Sequence, residues 1–393
     1  MPVSAGHNTL GIEGLVFHYD TGDVANSFFG KPTVNLVTEA DQMNGWSNYS
    51  YGNDGKFLTE FGTQGYRMIH RGSWNGIVKG ISLPSAGTYT ISAWYRYYSR
   101  GSGNNGATVY TSGGGISDTA QSINTSAAAE GEWFRTSMTR TYTTTSFNFY
   151  IISYGGTGGG SYSTWEVTKP QVEAGSVATT WVNGTRSSTQ SLKDLIQGRS
   201  ITTPDAAFSG DNLAYDGTNF SNHPYLTDGD WVARNAGEDW TMEHIVYYNS
   251  VPAGYNNTTS PACFFGSDSI SHNNWYWSVL SNRLALWNIS PGYWRYGSTT
   301  LQAGRYYHVV IKCFNNGYRY RFYLNGVAEG GDHVDQIWNR DYSGLKVKTI
   351  GAGNSANRRT LNGTQPVTRI YNRALNDSEI YNSYLSYKTR FNL

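Results

Sequence analysis

Between Gly87 and Arg96 the chain alternates: Tyr89, Ile91 and Ala93 take every second position, with Thr90, Ser92 and Trp94 between them. Successive side chains of a strand point to opposite faces, so this pattern predicts a strand with two unlike faces. Glu132–Arg140 and Phe147–Ile152 read as two more strands, and Gly14–Asp20 as an early one with turn signals after it. The Gly/Ser/Asn-rich stretches Arg100–Gly106 and Gly155–Ser161 read as solvated loops. Near the C-terminus the period changes. Val367–Tyr371 reads as a short strand, after which Asn376 offers a side-chain oxygen to cap a helix and Glu379 is placed to complete a capping box. Ile380, Tyr381, Tyr384 and Leu385 repeat at helical spacing, which predicts a short helix with one face on a sheet.

Composition agrees with strands. Aromatic residues make up 15% of the chain and there are 46 Gly, a mixture that suits short strands joined by tight turns. At 393 residues there is room for two or three domains. Charged residues are only 15% and the formal net charge is +1, so no basic face for nucleic acid is expected. The start, Met1 to His7, lacks the basic and apolar regions of a secretory signal. No apolar run approaches the roughly 20 residues that span a bilayer, so no membrane insertion is expected. The Asn-x-Ser/Thr sequons at Asn48, Asn219, Asn288 and Asn376 therefore read as chance in an Asn/Ser/Thr-rich chain. Cys263 and Cys313 each lie in an apolar run and read as free core residues.

The terminal Val-Thr-Arg-Ile-Tyr-Asn-Arg-Ala-Leu run from Val367 resembles the closing strand of laminin-G-like (concanavalin A-like) jelly-roll domains. Leu213–Gly217, Asp239–Tyr247, Gly304–Lys312, Arg321–Gly326 and Ile350–Gly353 are similar, in order, to earlier strands of that family. Asn325-Gly326 suits the positive φ of its hairpin turn. One departure is Pro366, which cannot donate to a ladder and implies an edge or a bulge. The family's opening Gly-Leu-Val strand is matched by Gly14–Asp20, far upstream, and Gln190–Leu195 looks like the turn that should follow it. The intervening segment, with its Gly87–Tyr95 and Glu132–Thr139 strands and its Pro170–Trp181 exit, resembles carbohydrate-binding-module β-sandwiches. The resemblance implies an all-β chain of two antiparallel β-sandwich (jelly-roll) domains with a short C-terminal helix. Residues 1–30 and 187–393 would form the lectin-like domain, with 31–186 inserted as a binding-module-like sandwich. Alternatively, residues 1–30 serve as an anchor or as the first strand of the middle domain.

Catalytic chemistry finds little support. Jelly-roll glycosidases present paired carboxylates, but Glu238 and Glu243 are separated by an odd number and point to opposite faces of a strand. No nucleophile elbow accompanies the His residues. Sugar binding is the more natural chemistry, since aromatic faces stack on pyranose rings while amides and guanidinium groups hold hydroxyls. Asn274, Trp275 and Trp277, with Tyr293, Trp294 and Arg295, form one candidate cluster; Arg71 and Trp74, with Trp94, Tyr97, Tyr98 and Arg100, form a second. Core packing or a subunit interface is the alternative for these rings, and Trp133, Trp181, Trp240 and Tyr307 are taken as core. Asp228 with Asp230, and Asp332 with Asp335, are candidate Ca²⁺ ligands or else solvated turns; no cofactor is required.

The tandem of these two domain types, and the opening Gly14–Gly22 with Pro32–Leu36, resemble virion surface proteins of tailed phages. The resemblance implies a non-enzymatic head decoration, fibre or tail adhesin on the virion surface. It would be made in the host cytoplasm, held by capsid or tail proteins, compatible with homo-oligomers, and able to bind host-surface polysaccharide. A purely structural virion protein and a polysaccharide-degrading enzyme are the alternatives.

Overall fold

The computed structural model describes residues 13–49, 53–69, 75–99, 106–115, 119–122, 130–154, 164–204, 207–209, 212–217, 223–226, 231–234, 238–249, 262–266, 276–288, 293–334, 345–347, 349–353 and 360–393. The two Gly/Ser/Asn-rich loops fall almost wholly outside these. Apart from the terminal helix and one short 3₁₀ turn, the elements are antiparallel strands. The chain folds into two compact units, one joining the segment that ends at Pro32 to Ser187–Leu393, the other formed by Thr33–Arg186.

The first unit is a sandwich of two sheets. One runs in the order Leu15–Asp20, Asn362–Tyr371, Trp240–Tyr248, Arg305–Phe314, Arg319–Leu324 and Val327–Ala328. The other includes Ala262–Gly266, Tyr276–Leu280, Arg283–Asn288 and, at its edge, Tyr293–Tyr296. Phe17, Trp240, Met242, Val309, Ile311, Phe322 and Ile370 from the first sheet meet Phe264, Trp277, Val279, Leu284 and Leu286 from the second in one buried cluster. Trp240–Tyr248 is buried along almost its whole length and not on alternate residues, because helix Asp377–Phe391 covers the sheet's other face.

The early strand is stitched to the chain's end. Phe17 pairs with Ile370 and Tyr19 with Thr368. Arg390 grips Asp20 through two bonds of 2.7 and 2.6 Å. Pro366 lies inside the sheet, opposite a register shift between Ile245 and Tyr247, so it marks a bulge in a central strand and not an edge. Asn325 and Gly326 have φ of 49° and 78° and turn the Arg319–Leu324 strand back into Val327–Ala328. Cys263 and Cys313 are buried thiols that form no disulfide.

The capping box is formed: the Glu379 N–H donates to Asn376 Oδ1 at 2.9 Å, and the Asn376 N–H to Glu379 Oε2 at 2.8 Å. The buried stripe differs from the expected one. Ile380 and Tyr387 are buried, whereas Tyr381 and Leu385 are 47% and 44% exposed. A stripe continuing down one side of a helix steps by three and four alternately, and Ile380, Ser383 and Tyr387 meet that step on the sheet side. Among the described residues no helix is long and apolar enough to cross a membrane.

The second unit has two five-stranded sheets. One orders Phe134–Tyr142, Gly87–Ser99, Thr164–Ala174, Gln64–Ile69 and Asn53–Leu58; the other centres on Ser146–Tyr154. Tyr89, Ile91, Ala93, Tyr95 and Tyr97 face the core, and Thr90, Ser92, Trp94, Arg96 and Tyr98 face away from it. A short ribbon, Thr33–Val34 paired with Thr185–Arg186, holds the unit's two ends side by side. Next to it Asn35 is buried with its amide fully used. Its Nδ2 donates to the carbonyls of Pro170 and Val182, both at 3.0 Å, and its Oδ1 accepts from the N–H groups of Val37 and Val172, both at 3.1 Å.

Candidate functional site

The outer face of the Gly87–Ser99 sheet is built in two halves. In one, the chain after Ala174 doubles back and seals the strands with polar contacts. Buried Glu173 accepts from the Thr179 N–H at 2.9 Å and from the Thr179 hydroxyl at 2.6 Å. The Val182 N–H donates to Gln171 Oε1 at 2.9 Å, and Arg135 donates to Ser92 Oγ at 2.8 Å.

The other half is open and aromatic. Phe61, 40% exposed, sits at a turn closed by the Thr59 N–H donating to the Thr63 carbonyl at 2.9 Å. Its ring lies 6.0 Å from that of Trp94 and 5.5 Å from that of Trp133. Tyr98, 52% exposed, carries the Arg67 guanidinium 3.7 Å over its ring. Arg96 lies 4.6 Å over Trp133, whose indole N–H donates to Glu60 at 2.6 Å. These arginines are fixed from beneath by Glu166, which is fully buried: Arg67 donates to it at 2.9 and 2.6 Å, and Arg96 also donates to it and to Glu60. A buried carboxylate of this kind is tolerated because two guanidinium groups compensate it.

Between Thr168 and Gln171 the strand bulges, and Lys169 there has a φ of 50°. The bulge carries the Lys169 ammonium 3.9 Å over the Phe61 ring and 5.4 Å over that of Trp181. Rigid ring faces beside fixed N–H donors provide what a pyranose needs, an apolar surface for its C–H face and partners for its hydroxyls.

Of the residues singled out in the sequence, Trp94 and Tyr98 belong to this face. Tyr97 does not: it is buried on the core side, since neighbours along a strand point opposite ways. Trp133 is half-buried on the outer face, not in the core, and Trp181 is half-buried at the core's margin. Arg71, Trp74 and Arg100 lie outside the described residues. The members of the face missed in the sequence are Phe61, Arg67, Arg96 and Lys169. Trp133 carried a signal, because Arg135 and Ser137 share its parity.

In the first unit Trp277 is fully buried, its ring 5.5 Å from Phe264 and 5.1 Å from Phe322, so it offers no face to a sugar. Ser278 between Trp277 and Val279 already marked that face as the inward one. Trp294 stacks on Tyr296 at 6.4 Å, and Arg283 lies 4.7 Å over Tyr296, at the sheet's edge strand. Arg295, half-buried, pairs in register with core residue Leu286, and so points to the opposite face from Trp294. Tyr293 is placed by its backbone, while Asn274 and Trp275 lie outside the described residues. So do Asp228, Asp230 and Asp335. Asp332 is held by Arg319 at 3.4 Å and by Arg321 at 2.7 Å. Among the described residues no group of acidic, His or Cys side chains is arranged to hold a metal.

Glu243 is not placed for glycoside chemistry. It is buried between sheet and helix, 3.1 Å from His308 Nε2, 3.5 Å from the Tyr371 hydroxyl and 3.9 Å from Arg369, and it accepts from Ser383. Burial pushes its pKa up, but the His308 hydrogen bond, the Arg369 charge and the Ser383 bond outweigh this and hold it at about 2.

These sheets define a nearly all-β protein of concanavalin A-like jelly-roll architecture with a C-terminal helix. Residues 216–381 match the profile of the concanavalin A-like lectin/glucanases superfamily. No curated protein matches the sequence. Among solved structures the chain is similar to the binding domain of Paraclostridial Mosquitocidal Protein 1, at 15% identity and TM-score 0.35, covering 50% of this chain and 49% of that one. The chain thus spans about half the length of that protein. It is also similar to domain 4 of an extracellular arabinanase from Geobacillus stearothermophilus in complex with arabinotriose, at 18% identity and TM-score 0.33, covering 47% of this chain and 81% of that one. A third likeness is to a xylan-binding domain from Paenibacillus barcinonensis, at 17% identity and TM-score 0.27, covering 39% of this chain and 99% of that one.

Proposed function

We propose that this is a non-enzymatic glycan-binding protein of a tailed-phage virion surface, a head decoration, fibre or tail adhesin. In this proposal Thr33–Arg186 is a binding module inserted into a lectin-like domain, and capsid or tail proteins hold the chain on the particle. The observation that carries glycan binding is the open face of Phe61, Trp94, Trp133 and Tyr98, whose flanking arginines are fixed by Glu60 and Glu166. The lectin/glucanase match of residues 216–381 supports it from the other unit. The burial of Glu243 under the helix supports a non-catalytic role. The virion setting is supported by the opening Gly14–Gly22 and Pro32–Leu36.

Glycan-array and host-cell binding test this, with Phe61→Ala and Trp133→Ala as variants. Removing one stacking ring should lower affinity about tenfold, since each 1.4 kcal/mol is a factor of ten. Stability should change little for Phe61→Ala. Unchanged binding in both variants would remove the face from the proposal. Absence of the protein from purified particles would remove the virion setting.

A further inference from the structure

We propose that the open aromatic face selects acidic polysaccharides, with Lys169 receiving the carboxylate of a uronate or sialate residue; this rests on the glycan-binding reading above. The other described cations of this face are committed. Arg67 and Arg96 share Glu166, and Arg96 also holds Glu60. Arg135 donates to the Thr179 carbonyl and to Ser92, and Arg186 to the Thr180 carbonyl and Thr179 Oγ1. Lys169 differs. Among the described residues its ammonium has no hydrogen-bond or ion-pair partner, only the rings of Phe61 and Trp181 at 3.9 and 5.4 Å.

The setting is partly dehydrated. Burial lowers the Lys169 pKa, and among the described residues no carboxylate opposes that shift. The bulge and the positive φ at Lys169 put this cation over Phe61, one of the rings of the stacking face. A pyranose stacked there brings its ring substituents within the sweep of the four-carbon lysine stem. A neutral sugar offers that ammonium only hydroxyls. A carboxylate offers a charge-assisted bond, stronger where water is thinned. Glu60, next in sequence to Phe61, is already held by Arg96 and the Trp133 N–H.

The test is titration calorimetry of the full chain against polygalacturonate, the same polymer after carboxyl reduction, and polysialate. Wild type should bind an acidic polymer at least about tenfold tighter than the reduced one, the gap closing as salt is raised. The two acidic polymers separate a uronate from a sialate ligand. Lys169→Gln should bring acidic and reduced polymers close to parity, and Lys169→Arg should keep most of the preference. Equal binding of acidic and reduced polymers by wild type, or an undiminished preference in Lys169→Gln, would overturn the selectivity and leave glycan binding standing. Failure of wild type to bind any of these polymers or any arrayed glycan would overturn both.

Discussion

Replacing Glu243 by Gln keeps the side chain's volume and removes its charge from under the terminal helix. The folded carboxyl has a pKa of about 2 against an ordinary 4.5. Each unit of that depression is worth about 1.4 kcal/mol, so ionised Glu243 contributes about 3 kcal/mol, within the range found when a buried ion pair loses one partner. A depressed folded pKa stabilises above the unfolded value and is lost as pH falls through the folded one. The contribution is therefore complete near pH 7 and drains away between about pH 4.5 and 2. Urea unfolding at pH 7 should show Glu243→Gln about 3 kcal/mol less stable in the transition of the lectin-like unit. For a domain of that size this is a midpoint lowered by about 6–12 °C. Repeated at steps down to pH 2, the gap should narrow. A gap below about 1 kcal/mol at pH 7, or one that stays constant down to pH 2, would refute the assignment of Glu243 as the charged centre of the helix–sheet seam.

Two further substitutions probe the scaffold. Asn376→Ala removes the cap that receives the Glu379 N–H and should lower the lectin-like unit's stability by about 1 kcal/mol, read in the same unfolding experiment. Asn35→Ala orphans two N–H groups and two carbonyls and should destabilise the other unit by about 3 kcal/mol; amide hydrogen exchange at Val37 and Val172 should accelerate with it.

What the sequence revealed was local. The Asn376–Glu379 capping box, the Asn325-Gly326 turn and the two-faced Gly87–Ser99 strand each depend on residues a few positions apart, and each forms. What it concealed depends on partners from elsewhere. The helix's buried stripe is set by the sheet beneath it, so Tyr381 and Leu385 stayed in solvent although their spacing was helical. Phe61 stands in a turn with no periodicity, and the bulge that aims Lys169 appears only in the register with Ser92 and Trp94. Trp277 shows the limit of residue type as a guide. Tryptophan serves a core and a sugar platform equally well, and only the parity of its strand places it inward.

The ribbon of Thr33–Val34 and Thr185–Arg186 gives the second unit something like a neck. Neighbouring strands lie about 4.8 Å apart, so this unit begins and ends at nearly the same place. Under the proposed function, exchange of Thr33–Arg186 as one segment would change recognition, while the pairs that join Leu15–Asp20 to Asn362–Tyr371 lie outside it.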